Sequence, residues 1–89
     1  MRVQSSSTTM RTRKVAVAFG RVLRETRLQK GISQDSLASL CEFDRTYPSL
    51  LERGLRSPTL AMIFRLSEAL DINPSLLVAK AYDELRRIR

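Results

Sequence analysis

The strongest constraint on the fold lies between residues 32 and 58, where two short stretches with helical periodicity are separated by a tight break. Ser33 is a favourable N-cap for the first stretch, in which Leu37, Ala38 and Cys41 recur at helical spacing. The helical pattern then breaks and starts again a few residues later. The sequence therefore predicts two consecutive short helices.

The second of these helices is predicted to follow Asp44 as its N-cap and to stop at Gly54. Pro48 and Leu51 share one of its faces. The opposite face carries polar and basic side chains, namely Arg45, Thr46, Ser49 and Arg53. Two helices joined by a turn of three or four residues form a helix-turn-helix unit, whose second helix can enter the major groove of DNA.

The remaining sequence predicts further helices, because no segment alternates like a strand. Helix 1 is expected over about residues 15–30, helix 4 after Ser57 as N-cap, and helix 5 from Asn73 to about Ile88. The expected buried stripe of helix 4 is Leu60, Ile63, Leu66 and Leu70. The predicted fold is an all-α, compact five-helix domain over residues 15–89.

Composition points to a polyanionic partner. Eighty-nine residues suffice for one small domain, so we expect no separate catalytic or small-molecule effector domain. A net charge of +7 favours nucleic acid or an anionic membrane. The membrane is the weaker alternative, because no apolar run approaches the roughly 20 residues of a spanning helix and no signal peptide precedes the domain. Double-stranded DNA and a cytoplasmic location, in a bacterium or phage, are therefore expected.

Chemistry other than binding is disfavoured. The chain has no His and a single cysteine, Cys41, so a zinc site would have too few ligands and no nucleophile–base pair can be assembled. We therefore expect no metal, no cofactor and no enzymatic activity. Cys41 is predicted to be a small core residue.

The N-terminal segment, residues 1–14, is predicted to be a flexible basic arm with no fixed structure of its own. Its bases are Arg2, Arg11, Arg13 and Lys14, and it has no acidic residue. Two interpretations remain open at this stage. The segment is either a solvated leader, with a possible internal start at Met10, or an arm that lies along DNA and becomes ordered on binding.

Several short motifs together resemble the Cro/C1-type (XRE-like) helix-turn-helix family, and most closely the controller proteins of restriction-modification systems. In order, they are Ser33-Gln34, Leu37-Ala38, Asp44-Arg45-Thr46-Tyr47, Leu51-Glu52-Arg53-Gly54 and Ser57-Pro58-Thr59-Leu60. The resemblance covers about residues 19–77 and implies a lambda-repressor-like DNA-binding domain. It also implies a partly buried, structural ion pair between Arg27 and Glu52.

Two positions depart from the family pattern. Glu42 stands where glycine is usual in the turn, so a positive φ is expected there at a cost of about 1 kcal/mol. Pro48 replaces a usual Ile or Val and is expected to be the fourth helical residue, where it removes one hydrogen bond at the helix end.

Four residues at the start of the second helix are candidate base contacts: Arg45, Thr46, Ser49 and Tyr47. Arginine can donate two hydrogen bonds to guanine, and threonine can bond a base edge or pack its methyl group on thymine. Tyr47 could equally be half-buried core filler. The resemblance implies that Gln34, Arg53 and Arg56 contact phosphates. Gln34 begins helix 2, where free N–H groups favour an anion, and either arginine could instead be an ordinary surface residue.

The outer stripe of helix 5 is the candidate dimer interface, represented by Val78, Tyr82 and Leu85. The alternative is that helix 5 folds back on its own domain. A homodimer would bind a palindrome with half-sites about 10–10.5 bp apart, or a multiple of that. The preferred function is a sequence-specific, homodimeric transcriptional regulator. The alternatives are an antitoxin-like protein that also binds its own promoter, and a nonspecific RNA or nucleoid binder.

Overall fold

The computed structural model describes residues 5–88, and it describes side chains from Arg11 onward. Within that range there are five α-helices and no strand, as predicted. They are α1 (Ser5–Gln29), α2 (Gln34–Cys41), α3 (Tyr47–Glu52), α4 (Leu60–Leu70) and α5 (Pro74–Arg87). Helix α1 packs along α5 and against α3, while α2 packs against α3 and α4.

The core is built mainly from leucines, one or more from every helix. Its fully buried members include Leu23, Leu37, Leu51, Leu66, Leu70 and Leu77. Burying one such side chain contributes about 1.5–3 kcal/mol, so this cluster is what holds the short helices α2 and α3 in place. Cys41 is buried as predicted, and burial raises the pKa of its thiol.

The start of α1 differs from the prediction, because the helix begins at Ser5 and not near Val15. Residues 5–14 of the predicted arm are thus helical, while residues 1–4 lie outside the described part. Extending a helix that tertiary packing has already nucleated adds one hydrogen bond per residue without a new nucleation cost. Residues 5–14 contain a single apolar residue, Met10, so helical periodicity in the sequence did not reveal this part of α1.

The helix caps agree with the sequence in part. Ser33 caps α2 by accepting a hydrogen bond from the Ser36 N–H at 3.0 Å, and Glu42 has the expected positive φ of 57°. Asn73 caps α5 as predicted. The predicted cap of α4 was wrong, because Thr59 and not Ser57 accepts from the Met62 N–H. Leu60 is accordingly 64% exposed and lies outside the buried stripe.

Helix α3 also starts later than predicted, at Tyr47. Asp44 does not cap it directly; its carboxylate accepts hydrogen bonds from the Thr46 N–H at 2.9 Å and hydroxyl at 2.8 Å. Pro48 is therefore the second helical residue and not the fourth. Its missing N–H would have had no partner within the helix, so the proline costs no helical hydrogen bond.

The backbone of α1 touches the end of α3 at Gly20. A Cβ atom on Gly20 would overlap the Leu51 carbonyl oxygen and would lie 2.8 Å from that of Glu52. A second close contact follows, since a Cβ on Gly54 would lie 2.8 Å from the Val17 side chain. These glycines set the distance between α1 and the end of the helix-turn-helix unit.

Gly20→Ala is expected to lower the free energy of unfolding by about 1–3 kcal/mol, because the new methyl group meets backbone carbonyls that cannot rotate away. This loss should exceed the gain of up to about 1 kcal/mol that alanine offers over glycine inside a helix. Urea unfolding of both variants measures the difference. A stability equal to or above that of the parent would show that α1 and α3 separate at little cost.

Candidate nucleic-acid interface

Arg45 is exposed in the turn that precedes α3, and not within the helix as predicted, and it lies beside the first turn of α2. The Arg45 guanidinium lies 3.0 Å from the Asp35 carboxylate, and the two side chains are 81% and 66% exposed. An ion pair this exposed contributes at most about 1 kcal/mol. The pair therefore holds Arg45 near the helix-turn-helix surface without preventing its transfer to another acceptor.

Thr46 is exposed next to Arg45, and its orientation is fixed locally. Its backbone N–H and its hydroxyl both donate to the Asp44 carboxylate. These two bonds, the N–H bond most strongly, lower the pKa of the Asp44 carboxyl. While the hydroxyl proton is used in this way, the Thr46 side chain can offer a base edge its oxygen as an acceptor or its methyl group.

Tyr47 packs partly into the core, in agreement with one of its two predicted roles. Its ring packs edge-to-face on Phe43, with centroids 4.9 Å apart, and both residues pack against the hydrophobic core. The side chain is only half-buried. Ser49 is likewise half-buried, and its carbonyl oxygen accepts a 3.4 Å hydrogen bond from Arg53. The contact of Tyr47 or Ser49 with a base stays a prediction.

The three residues predicted to contact phosphates differ in their exposure and in the partners that their side chains already have. Arg56 is exposed and forms no ion pair with any residue from 11 to 88. Arg53 is exposed and bonded only weakly to its own helix. The side-chain amide of Gln34 instead donates to Glu52 at 3.1 Å, so its nitrogen faces a protein partner. No local pattern predicts this contact, because the two residues are 18 positions apart in the chain.

Arg27 and Glu52 form the ion pair that the resemblance implies. The Arg27 Nε atom lies 2.6 Å from Glu52 Oε2, Nη2 donates to Oε1 at 3.0 Å, and Nη1 donates to the Ile32 carbonyl at 2.9 Å. The side chains are 9% and 3% exposed. The hydrogen bond to Glu52 raises the pKa of Arg27 in spite of the burial. This network joins α1, the loop before α2, and α3.

The outer face of α5 is partly free and partly packed. Val78 and Tyr82 are 46% and 57% exposed, whereas Leu85 is half-buried. With Val15 and Phe19 of α1, these residues line an apolar groove of about 310 Å³. Helix α5 thus folds back on α1, as one alternative expected, and still leaves an apolar face uncovered.

Neither a cluster of metal-binding side chains nor a membrane-spanning helix occurs in the described part of the chain. Among the described residues, no group of three or more His, Cys, Asp or Glu side chains is placed to hold a metal ion. None of the described helices combines the length and hydrophobicity that crossing a membrane requires.

Comparison with known proteins identifies the family. A family model described as "Helix-turn-helix" (HTH_3) matches residues 23–77, which include all of α2, α3 and α4. The chain belongs to the helix-turn-helix family. The matched range also agrees closely with the extent of the resemblance noted in the sequence.

Relatives of this helix-turn-helix protein are controller proteins. It is 40% identical to control protein C.BamHI of Bacillus amyloliquefaciens over 68 residues, which are 75% of this chain and 84% of that protein. The restriction-modification controller protein C.AhdI from Aeromonas hydrophila is 48% identical and superposes with a TM-score of 0.67, over 70% of this chain and 94% of that one.

A third relative was solved with DNA. The controller protein C.Esp1396I, a tetramer in complex with its natural 35 base-pair operator, superposes with a TM-score of 0.72 at 26% identity, over 81% of this chain and 95% of that one. The family model and the superposed structures therefore indicate the same class of protein. The present chain is a DNA-binding helix-turn-helix transcriptional regulator of the controller-protein type, and its relatives are regulators and not enzymes.

Proposed function

We propose that the protein binds a palindromic operator as a homodimer and reads its sequence with α3. The observation that carries this proposal is the exposed turn leading into α3, where Arg45 and Thr46 lie close to the first turn of α2. In a helix-turn-helix unit this end of the second helix faces the base edges of the major groove. Arg45 would donate two hydrogen bonds to a guanine, and Thr46, Tyr47 and Ser49 would contact neighbouring base edges.

Backbone contacts would flank the reading helix. Arg53 and Arg56 follow α3, and both are exposed cations that can neutralise phosphates. The start of α2 is the third candidate, because its first backbone N–H groups favour an anion. The Gln34 amide group has two N–H donors and uses one of them for Glu52, so the second remains to donate to a phosphate oxygen.

The dimer proposal is based on the apolar face of α5. Exposed Val78 and Tyr82 lie at helical spacing beside the half-buried Leu85. A two-fold axis through such a face would bury the same patch on both subunits. C.Esp1396I assembles on its operator as a tetramer, which supports assembly of this type on DNA.

Val78→Glu is expected to convert the dimer into a monomer, because the two-fold axis brings the new carboxylates together and removes them from water. Val78 is preferable to Leu85 for this test, because Val78 is exposed and a charge there does not have to be buried inside the monomer. Analytical ultracentrifugation measures the mass, and circular dichroism the helix content. The matched control is Ala79→Glu, which adds the same charge at an exposed position about 100° further round α5. A Val78→Glu protein that remains dimeric would place the interface elsewhere.

Selection of bound duplexes from a random DNA pool tests the function as a whole. The expected result is an enriched inverted repeat, with half-sites separated by about 10–10.5 bp or a multiple of that. A pool that remains random while the protein retains similar affinity for RNA would replace this proposal with nonspecific nucleic-acid binding.

A further inference from the structure

The middle of α1 runs alongside the end of α3 and the loop that follows it. Gly20 touches the carbonyls that end α3, and Val17 touches Gly54 in the next loop. One helical turn further toward the N-terminus, Arg13 lines an open cleft of about 370 Å³, and the loop from Gly54 to Ser57 forms its other wall. The early start of α1 therefore places Arg13 beside the loop that follows the reading helix.

The face of α1 that carries Arg13 is fixed by helical spacing. Residues 13, 17 and 20 are separated by four and three positions, so their side chains lie on one face of the helix. Val17 and Gly20 are held against α3 and its loop by close contacts. The Arg13 side chain consequently belongs to the same side of α1 as that loop, whereas Arg11 lines the apolar groove next to α5.

The cleft has an unbalanced positive charge. Its lining includes both Arg13 and Arg56 and contains no Asp or Glu. Both arginines are exposed, and neither forms an ion pair with another residue in the described part of the chain. Two arginines that line one cleft can both donate hydrogen bonds into it, which is an arrangement that suits an anion with several oxygens.

We propose that Arg13 and Arg56 together clamp a phosphate segment of the DNA backbone. This inference rests on the proposed function, because the anion is taken to be the strand that the loop after α3 approaches. Arg13 lies outside residues 23–77, so the contact would add to those of the shared helix-turn-helix domain. The clamp lengthens the contact with the backbone and fixes the orientation of α3 in the groove without adding sequence information.

The slope of log affinity against log salt concentration tests the clamp. The variants are Arg13→Ala and Arg56→Ala, with Arg65→Ala as the control. Arg65 is an exposed arginine of α4 in a cleft that Glu42 and Glu68 also line, so this control loses the same charge elsewhere. Binding is measured on the selected operator and on a random duplex at several potassium chloride concentrations.

Loss of one phosphate contact in each subunit should flatten the slope by about 0.9 per contact, or about 1.8 for a dimer. We expect this change for Arg13→Ala and Arg56→Ala on both duplexes, and no comparable change for Arg65→Ala. Arg13→Lys should keep most of the parent slope, because it retains the charge. This variant separates loss of charge from any effect of alanine on the helix.

The possible failures can be distinguished. If Arg13→Ala has the same slope as Arg65→Ala while Arg56→Ala is flattened, the clamp is overturned and the proposed function stands. If Arg13→Lys is as defective as Arg13→Ala, a charge contact is likewise overturned. If the parent protein shows no salt-dependent binding to either duplex, the proposed function itself fails.

Discussion

Glu52→Ala should lower the free energy of unfolding by about 3–5 kcal/mol, because it leaves a buried arginine without its counter-charge. Arg27 would keep only its hydrogen bond to the Ile32 carbonyl, and Gln34 would lose the acceptor of its amide. The change should be visible as a large shift of the urea midpoint with little change in the slope of the transition.

Glu25→Ala provides the matched control for that experiment. Glu25 is an exposed glutamate of α1 that forms no ion pair with another described residue, so its removal should change stability by less than about 0.5 kcal/mol. DNA affinity of Glu52→Ala, corrected for the folded fraction, should stay near that of the parent. A Glu52→Ala protein as stable as Glu25→Ala would show that the pair does not contribute to folding.

Arg45→Ala should weaken operator binding by about 1–3 kcal/mol in each half-site, and so by about 2–6 kcal/mol for a dimer on two half-sites. The loss should be much smaller on random DNA, because a bidentate bond to a base edge depends on the sequence. Competition binding with the operator and with a random duplex measures both values. Repeating the DNA selection should show relaxed preference at one base pair per half-site.

Asp35→Ala is the control for the partner of Arg45. The exposed ion pair contributes at most about 1 kcal/mol, so breaking it should leave the fold intact. Removal of an acidic side chain from the candidate interface should also leave DNA affinity unchanged or slightly higher.

Equal losses on operator and random DNA for Arg45→Ala would mean that Arg45 contacts only phosphate.

The helix-turn-helix unit could be predicted from sequence because its signals are local. The spacing of Leu37 and Cys41, the cap Ser33 and the stop at Gly54 each act within a few residues, and the structure confirms two short helices there. The positive φ of Glu42 was predicted from the resemblance, because the family usually has glycine at that position of the turn. The +7 charge further favoured a polyanionic partner, in agreement with a family of DNA-binding regulators.

Helix boundaries were less predictable, because several residues competed for the same role. Ser57 and Thr59 are both good caps, and packing of α4 decided for Thr59. Asp44 formed a turn with Thr46 in place of a helix cap, which moved the start of α3 to Tyr47. Such alternatives differ by about 1 kcal/mol or less, so tertiary contacts decide between them.

The sequence by itself determined the all-helical fold, the positive charge and the basic, polar start of the reading helix, because each depends on composition or on spacing within one helix. Only the tertiary structure decided that Gln34 bonds Glu52, that Gly20 admits α1 against α3, and that Arg13 lies beside Arg56. These contacts join residues far apart in the chain. Their formation depends on how the helices pack in three dimensions, which the local pattern of a single sequence does not contain.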